Sequence, residues 1–237
     1  FDTDIAGNAL TDVTTHLVDL ALWWLVPDKP VDYRKNLEVV DATLWPTLLT
    51  IEQLQQLVSH ETVPPNLVAK CPDSGYLYQG NGRVSFTLNG HHIRLESLWD
   101  FQAIEREGDT FEAVIQGSES RIHVKRQIVS NSQEPPTILV IPNHPEKLET
   151  IFEATASLCE KLQTKFAGIG PEQNAGAIQI RIPAAICSSH ENHFMAVVQE
   201  FVSNFQNPRQ VAPWEKANLL SKYYITTKAS EMALQKQ

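Results

Sequence analysis

Tyr76-Leu77-Tyr78-Gln79-Gly80-Asn81-Gly82-Arg83-Val84-Ser85-Phe86-Thr87-Leu88-Asn89-Gly90-His91-His92-Ile93-Arg94-Leu95-Glu96-Ser97-Leu98-Trp99-Asp100-Phe101 has the texture of β-structure. Its β-branched and aromatic runs are short and punctuated by turn chemistry. Asn89-Gly90 suits a type I′ hairpin, because both central residues of that turn need positive φ. Gly80-Asn81-Gly82 reads as a further turn between strands at 76–79 and 83–88. The run 91–101 then completes a hairpin.

The same texture extends on both sides. A strand is expected at 36–45, and Glu107-Gly108-Asp109 and Gly117 to Ser120 mark turns that leave strands at 110–116 and 121–128, followed by 137–141. The consequence is a large, mostly antiparallel, open sheet. Before it, Leu10, Val13, Leu17, Leu20, Ala21 and Trp24 recur at helical steps over 8–25, which predicts one apolar helix face ended by Pro27 and Pro30. Thr50 with Gln53 fits a capping box opening a short helix through 58.

After it, the period of 3.6 returns at Pro145, with Leu148, Ile151, Phe152, Thr155, Leu158, Cys159 and Leu162 as the stripe. Gly168-Ile169-Gly170 before Pro171 reads as a helix-ending loop, and 177–182 as one more strand. Helices at 190–205, with Phe194, Val197, Val198 and Phe201 inward, and at 213–234 close the chain. Strands gathered in the middle with helices at both ends predict an α+β fold with helices packed on one face of the sheet.

The 237 residues, 42% hydrophobic and 20% charged, suit one globular domain over 1–237. A net charge of -9 argues against nucleic acid and anionic lipid as partners. Cys71, Cys159 and Cys187 are odd in number and lack CxxC spacing, so neither a zinc site nor a disulfide framework is expected. The apolar run 17–26 is broken by Asp19 and is about half the roughly 20 residues a spanning helix needs, so no membrane anchor is expected. With no initiator Met and no basic n-region, the chain is expected to be a piece of a longer protein.

On the first helix, Asp12, His16 and Asp19 stand four and three residues apart and share one stripe. A histidine between carboxylates can be tuned for acid–base work near neutral pH, although the same spacing also suits a solvated helix face. The wider string Ala6-Gly7-Asn8-Ala9-Leu10-Thr11-Asp12-Val13-Thr14-Thr15-His16-Leu17-Val18-Asp19-Leu20-Ala21-Leu22-Trp23 resembles the glycine-led helix start and Asp-x-x-x-His-x-x-Asp motif of the Gfo/Idh/MocA oxidoreductases. Tyr224-Ile225-Thr226-Thr227-Lys228-Ala229-Ser230-Glu231 resembles that family's last helix, and His193-Phe194 with Phe201 its penultimate one.

The resemblance implies a C-terminal, substrate-side domain in which Asp12 and His16 are the substrate-contacting, proton-handling pair. It implies a sugar or polyol substrate, a homo-oligomer formed through the sheet face, and NAD or NADP held mainly by a Rossmann half. Neither that half's phosphate loop nor its Glu-Lys-Pro motif is in this chain, so the chain alone is expected to bind no cofactor and to be inactive. Asp28-Lys29-Pro30 follows the Asp/His helix where the family motif precedes it, and Lys29 reads as a helix C-terminal charge. Thr14, where the family usually has glycine, adds bulk near the site. The alternative reading is a non-catalytic carbohydrate-binding or oligomerisation module.

His190-Glu191-Asn192-His193 lacks HExxH spacing and reads as a helix start capped by Ser188 or Ser189, not as a metal site. His91 and His92 are neighbours on a strand and face opposite sides. Tyr76, Tyr78, Phe86, Trp99, Phe101 and Phe111 could form a carbohydrate platform, and serve core packing or subunit contact equally well.

Overall fold

The computed structural model describes residues 2–58, 62–68, 70, 75–101, 108–128, 134–208 and 211–237. Cys71 and Glu107 lie outside the described residues. In chain order the elements are α1 (Thr3–Ala6), α2 (Val13–Leu25), α3 (Tyr33–Asn36), β1 (Leu37–Leu49), α4 (Ile51–Val58), α5 (Pro65–Val68), β2 (Tyr76–Leu88) and β3 (His91–Ser97). They continue with β4 (Asp109–Gln116), β5 (Ser120–Ile128), β6 (Thr137–Pro142), α6 (Leu148–Leu162), β7 (Gly170–Asn174), β8 (Ala177–Arg181), α7 (His190–Gln206) and α8 (Pro213–Leu234).

The α+β class and the antiparallel pairing hold, but the strands are shared between two sheets, ordered β1-β2-β3 and β4-β5-β6-β8-β7. The chain accordingly divides into two compact units, Phe1–Gln102 with Asn207–Gln237, and Ala103–Gln206.

In the first unit β2 is the central strand. Its alternate residues Val84, Phe86 and Leu88 enter one core with Leu10, Val18 and Leu22 from the α2 region and Ile225, Ala229 and Ala233 from α8. Burying one such side chain stabilises the unit by about 1.5–3 kcal/mol, so α2 and α8 are fixed to the sheet by packing. A second cluster, Leu49, Leu54, Leu67 and Tyr76, lies under α4 and α5.

Gly80-Asn81-Gly82 is not a turn: β2 runs through it, paired to β1 from Leu49↔Tyr76 to Leu37↔Leu88. The glycines serve close approach instead. A Cβ on Gly82 would stand 3.0 Å from Leu10 Cδ2, and one on Gly80 would stand 2.5 Å from the Tyr78 ring. Asn81 is buried, with its amide donating to Thr47 Oγ1 at 2.8 Å and its carbonyl accepting from Trp99 N at 2.8 Å. The true turn is Asn89-Gly90, at φ 51 and 81. The Thr50 capping box is also formed, with Gln53 N donating to Thr50 Oγ1 at 3.2 Å and Thr50 N to Gln53 Oε1 at 2.9 Å.

In the second unit the segment read as a loop at 168–171 leads into β7, an edge strand where Pro171 leaves no interior ladder bond unmade. The inward face expected for the penultimate helix is corrected. Phe194, Val197, Val198 and Phe201 on α7 are 65%, 64%, 44% and 68% exposed. The helical period was real, but nothing among the described residues covers that face. The Ser189 cap is present, with Asn192 N donating to Ser189 Oγ at 3.3 Å.

Candidate active site

Regular α2 begins at Val13 and not at Asn8; residues 8–12 form a tight entry turn, with Thr11 N and Asp12 N both donating to Asn8 O at 3.0 Å. Gly7 at φ 86 lets the chain enter this turn, and a Cβ there would lie 2.5 Å from Thr11 Oγ1. Three attachments hold the turn. Asn8 Nδ2 donates to Ser230 Oγ of α8 at 2.9 Å, Ala9 N donates to Gln79 O of β2 at 3.0 Å, and Leu10 is fully buried against Gly82. The glycine-led string thus builds a rigid entrance to the helix.

The buried face of α2 is Thr14, Val18, Ala21 and Leu22. Of the stripe expected from periodicity, Val13 and Trp24 are exposed. The helix is apolar on several sides, so periodicity alone did not fix which side meets the sheet. Thr14 is completely buried, and its hydroxyl has no hydrogen-bond partner among the described residues. Its bulk lies in the core and not on the polar stripe.

Asp12 and His16 are both exposed, at the first residue before and in the first turn of α2. The Asp12 charge reaches the strand beneath. Burial first, and then this carboxylate, push the Tyr78 phenol above its ordinary value, keeping it protonated at neutral pH. Tyr78 meets Trp99 edge-on with ring centroids 4.9 Å apart. Of the aromatics considered for a platform, Tyr76 and Phe86 are core residues, and Tyr78 and Trp99 are half-buried.

Asp19 does not join Asp12 and His16 as a free acid. Its carboxylate accepts a hydrogen bond from Lys222 of α8 at 2.7 Å, with side-chain exposures of 27% and 15%. Lys222, Ser230 and Gln79 are the residues sequence reasoning missed as supports of the site. No local signal marks them, because each contact spans much of the chain. Gly168 and Gly170 feed an edge strand, so they offer no helix N-terminus to a pyrophosphate.

The fold so described is α+β, with an exposed Asp/His pair at the start of its first long helix and a long C-terminal helix as its last element. The chain belongs to the family described as "Putative oxidoreductase C terminal domain", whose model matches residues 1–234. It is similar to the crystal structure of a "putative oxidoreductase" from Parabacteroides merdae ATCC 43184, at 28% identity and a TM-score of 0.90. The match covers 100% of this chain and 53% of that one, so this chain spans about half the length of that relative. No curated protein matches the chain.

Proposed function

We propose that this chain is the substrate-side half of a Gfo/Idh/MocA-type oxidoreductase that acts on a hydroxyl-bearing carbon of a sugar or cyclitol with NAD or NADP. The observation that carries this reading is the anchored, solvent-facing pair Asp12 and His16 at the entrance of α2, within a chain of the oxidoreductase C-terminal family. In this reading His16 takes up the hydroxyl proton and Asp12 orients the imidazole. Tyr78 and Trp99 offer a half-buried aromatic surface beside Asp12 on which a polyol ring can rest. Hydride acceptance is the chemistry NAD(P) would supply; the nucleotide would be held mainly by the other half of the protein, which would also supply a lysine alongside His16. The work assigned to this chain is to bind the substrate and move a proton. A homo-oligomer belongs to the same reading.

The alternative of a non-catalytic carbohydrate-binding or oligomerisation module drew on the nucleotide domain that this chain lacks and on the bulk of Thr14; the burial of Thr14 in the core removes only the second of these. The test is the full-length protein carrying His16→Ala, assayed on its best substrate. Turnover should fall by about 10²–10⁴-fold, the usual contribution of a positioned acid–base group. Normal turnover in that variant would show that His16 has no such role.

A further inference from the structure

β3 leaves the ladder at Ser97, its last residue paired to β2. Two residues later the chain is fastened again, this time by side chains. Thr47 Oγ1 donates to Trp99 O at 2.9 Å, Trp99 N donates to Asn81 Oδ1 at 2.8 Å, and Asn81 Nδ2 donates to Thr47 Oγ1 at 2.8 Å. The three bonds close a loop, so both backbone groups of Trp99 are held by β1 and β2 beyond the end of strand pairing. Asn81 Nδ2 also donates to Trp45 O at 3.3 Å, at the register shift of β1 between Trp45 and Thr47. Such irregularities re-aim side chains.

The fastening aims one ring at another. The Trp99 indole meets the Tyr78 ring edge-on at 4.9 Å, and Gly80 leaves the space both need: a Cβ there would stand 2.5 Å from the Tyr78 ring and 3.2 Å from Trp99 Cβ. The pair lies beside the entry turn of α2. Ala9 N donates to the carbonyl of Gln79, the residue next to Tyr78, and the Asp12 charge acts on the Tyr78 phenol. Packing against Leu49, Leu54, Leu67 and Tyr76 asks only for a large apolar side chain at position 99. A backbone fixed through a buried asparagine, 5% exposed, sets the direction of that side chain as well.

We propose that Trp99 and Tyr78 form a ring-selective subsite beside Asp12, in which the C–H face of a cyclic polyol stacks on the Trp99 indole, and that Thr47 and Asn81 are its positioning residues. The electron-rich face of an indole attracts the positive edge of C–H groups. A closed ring presents several of them on one side. An open-chain polyol must first freeze its carbon–carbon torsions to do the same, which costs conformational entropy. The subsite deepens the proposed Asp12/His16 chemistry and rests on it, by selecting cyclic over open-chain substrates.

The test is kcat and KM of the full-length protein on cyclic polyols and aldohexoses and on the open-chain alditols of matching configuration. The wild type should favour a cyclic substrate. Trp99→Leu keeps an apolar side chain and removes the π face. It should raise KM for that substrate by about 3–10-fold with kcat nearly unchanged, the mark of binding lost equally from ground and transition states. Trp99→Phe should stay near the wild-type KM. Thr47→Val, which removes the hydroxyl, should reproduce the rise, and Thr47→Ser, which keeps it, should restore the wild-type value. Partial unfolding lowers apparent kcat and leaves KM alone, so it does not mimic this result. An open-chain best substrate, an unchanged KM in Trp99→Leu, or Thr47→Ser indistinguishable from Thr47→Val overturns the subsite. His16→Ala in the same assay separates the two claims. Lost turnover there with an unchanged Trp99→Leu KM removes the subsite and keeps the acid–base reading; normal turnover there with a raised Trp99→Leu KM removes the acid–base reading and keeps the stacking surface.

Discussion

Asp19 on α2 and Lys222 on α8 are joined at 2.7 Å across 203 residues of sequence. With Asn8 and Ser230 bonded at 2.9 Å, the last helix holds the first long one at its entry turn and at its middle. The helix that carries Asp12 and His16 is therefore oriented by the C-terminal end of the chain, and Asp19 is spent on that anchor.

The pair should behave as a coupled unit. Asp19→Asn or Lys222→Met alone is expected to lower unfolding stability by about 1–3 kcal/mol, because each leaves a poorly solvated charge unpaired. The double variant should recover about 1 kcal/mol of the summed losses, more than most exposed pairs return. Urea denaturation of the four proteins measures it, and additivity within about 0.3 kcal/mol would mean that the contact contributes nothing in solution.

Thr14 offers a gain. Its hydroxyl is buried without a partner among the described residues, and valine has nearly the same shape without the hydroxyl to desolvate. Thr14→Val is expected to raise unfolding stability by about 1 kcal/mol. Thr14→Gly, the residue usual in the resembled family, should lower it by at least about 1 kcal/mol through helix propensity and lost packing. Thermal unfolding of both variants gives the signs directly.

The hydrogen bond from Lys70 to the Asp2 carboxylate, with a second from Asn66 at 2.8 Å, lowers the Asp2 pKa from 3.8 to about 2. A depressed carboxylate pKa stabilises the fold above the unfolded value and loses that contribution as pH falls through the folded one. The loss should therefore run from about pH 4 to about pH 2, with no change at neutral pH. NMR titration of the Asp2 carboxyl should show the low midpoint, and Lys70→Met should move it back up towards 3.8. An Asp2 midpoint near 3.8 in the unaltered chain would contradict the pairing.

Nucleotide affinity is the remaining expectation. Titrated calorimetrically with NAD and with NADP, this chain should show no binding tighter than about 1 mM, which corresponds to roughly 4 kcal/mol. Tighter binding would reveal a nucleotide site in the chain and would reassign the cofactor half of the proposed function.

Local chemistry was legible wherever one short segment decides the outcome. Asn89-Gly90 specified its hairpin, Thr50 and Gln53 their capping box, and Ser189 the start of α7, because each is closed by neighbours a few residues away. The composition and the order of strands and helices likewise fixed the α+β class. Tertiary structure alone decided which partners these segments would find. Gly80-Asn81-Gly82 has the composition of a turn but lies inside β2, since Leu10, Tyr78 and Trp99 need the space its missing side chains leave. The strands that read as one meander form two sheets, because turn residues say where a strand stops and not which neighbour it pairs with. Thr14 faces the core and Asp19 meets Lys222 for the same reason: a helix with apolar residues on several sides is turned by what packs against it, and here that is a helix from the far end of the chain.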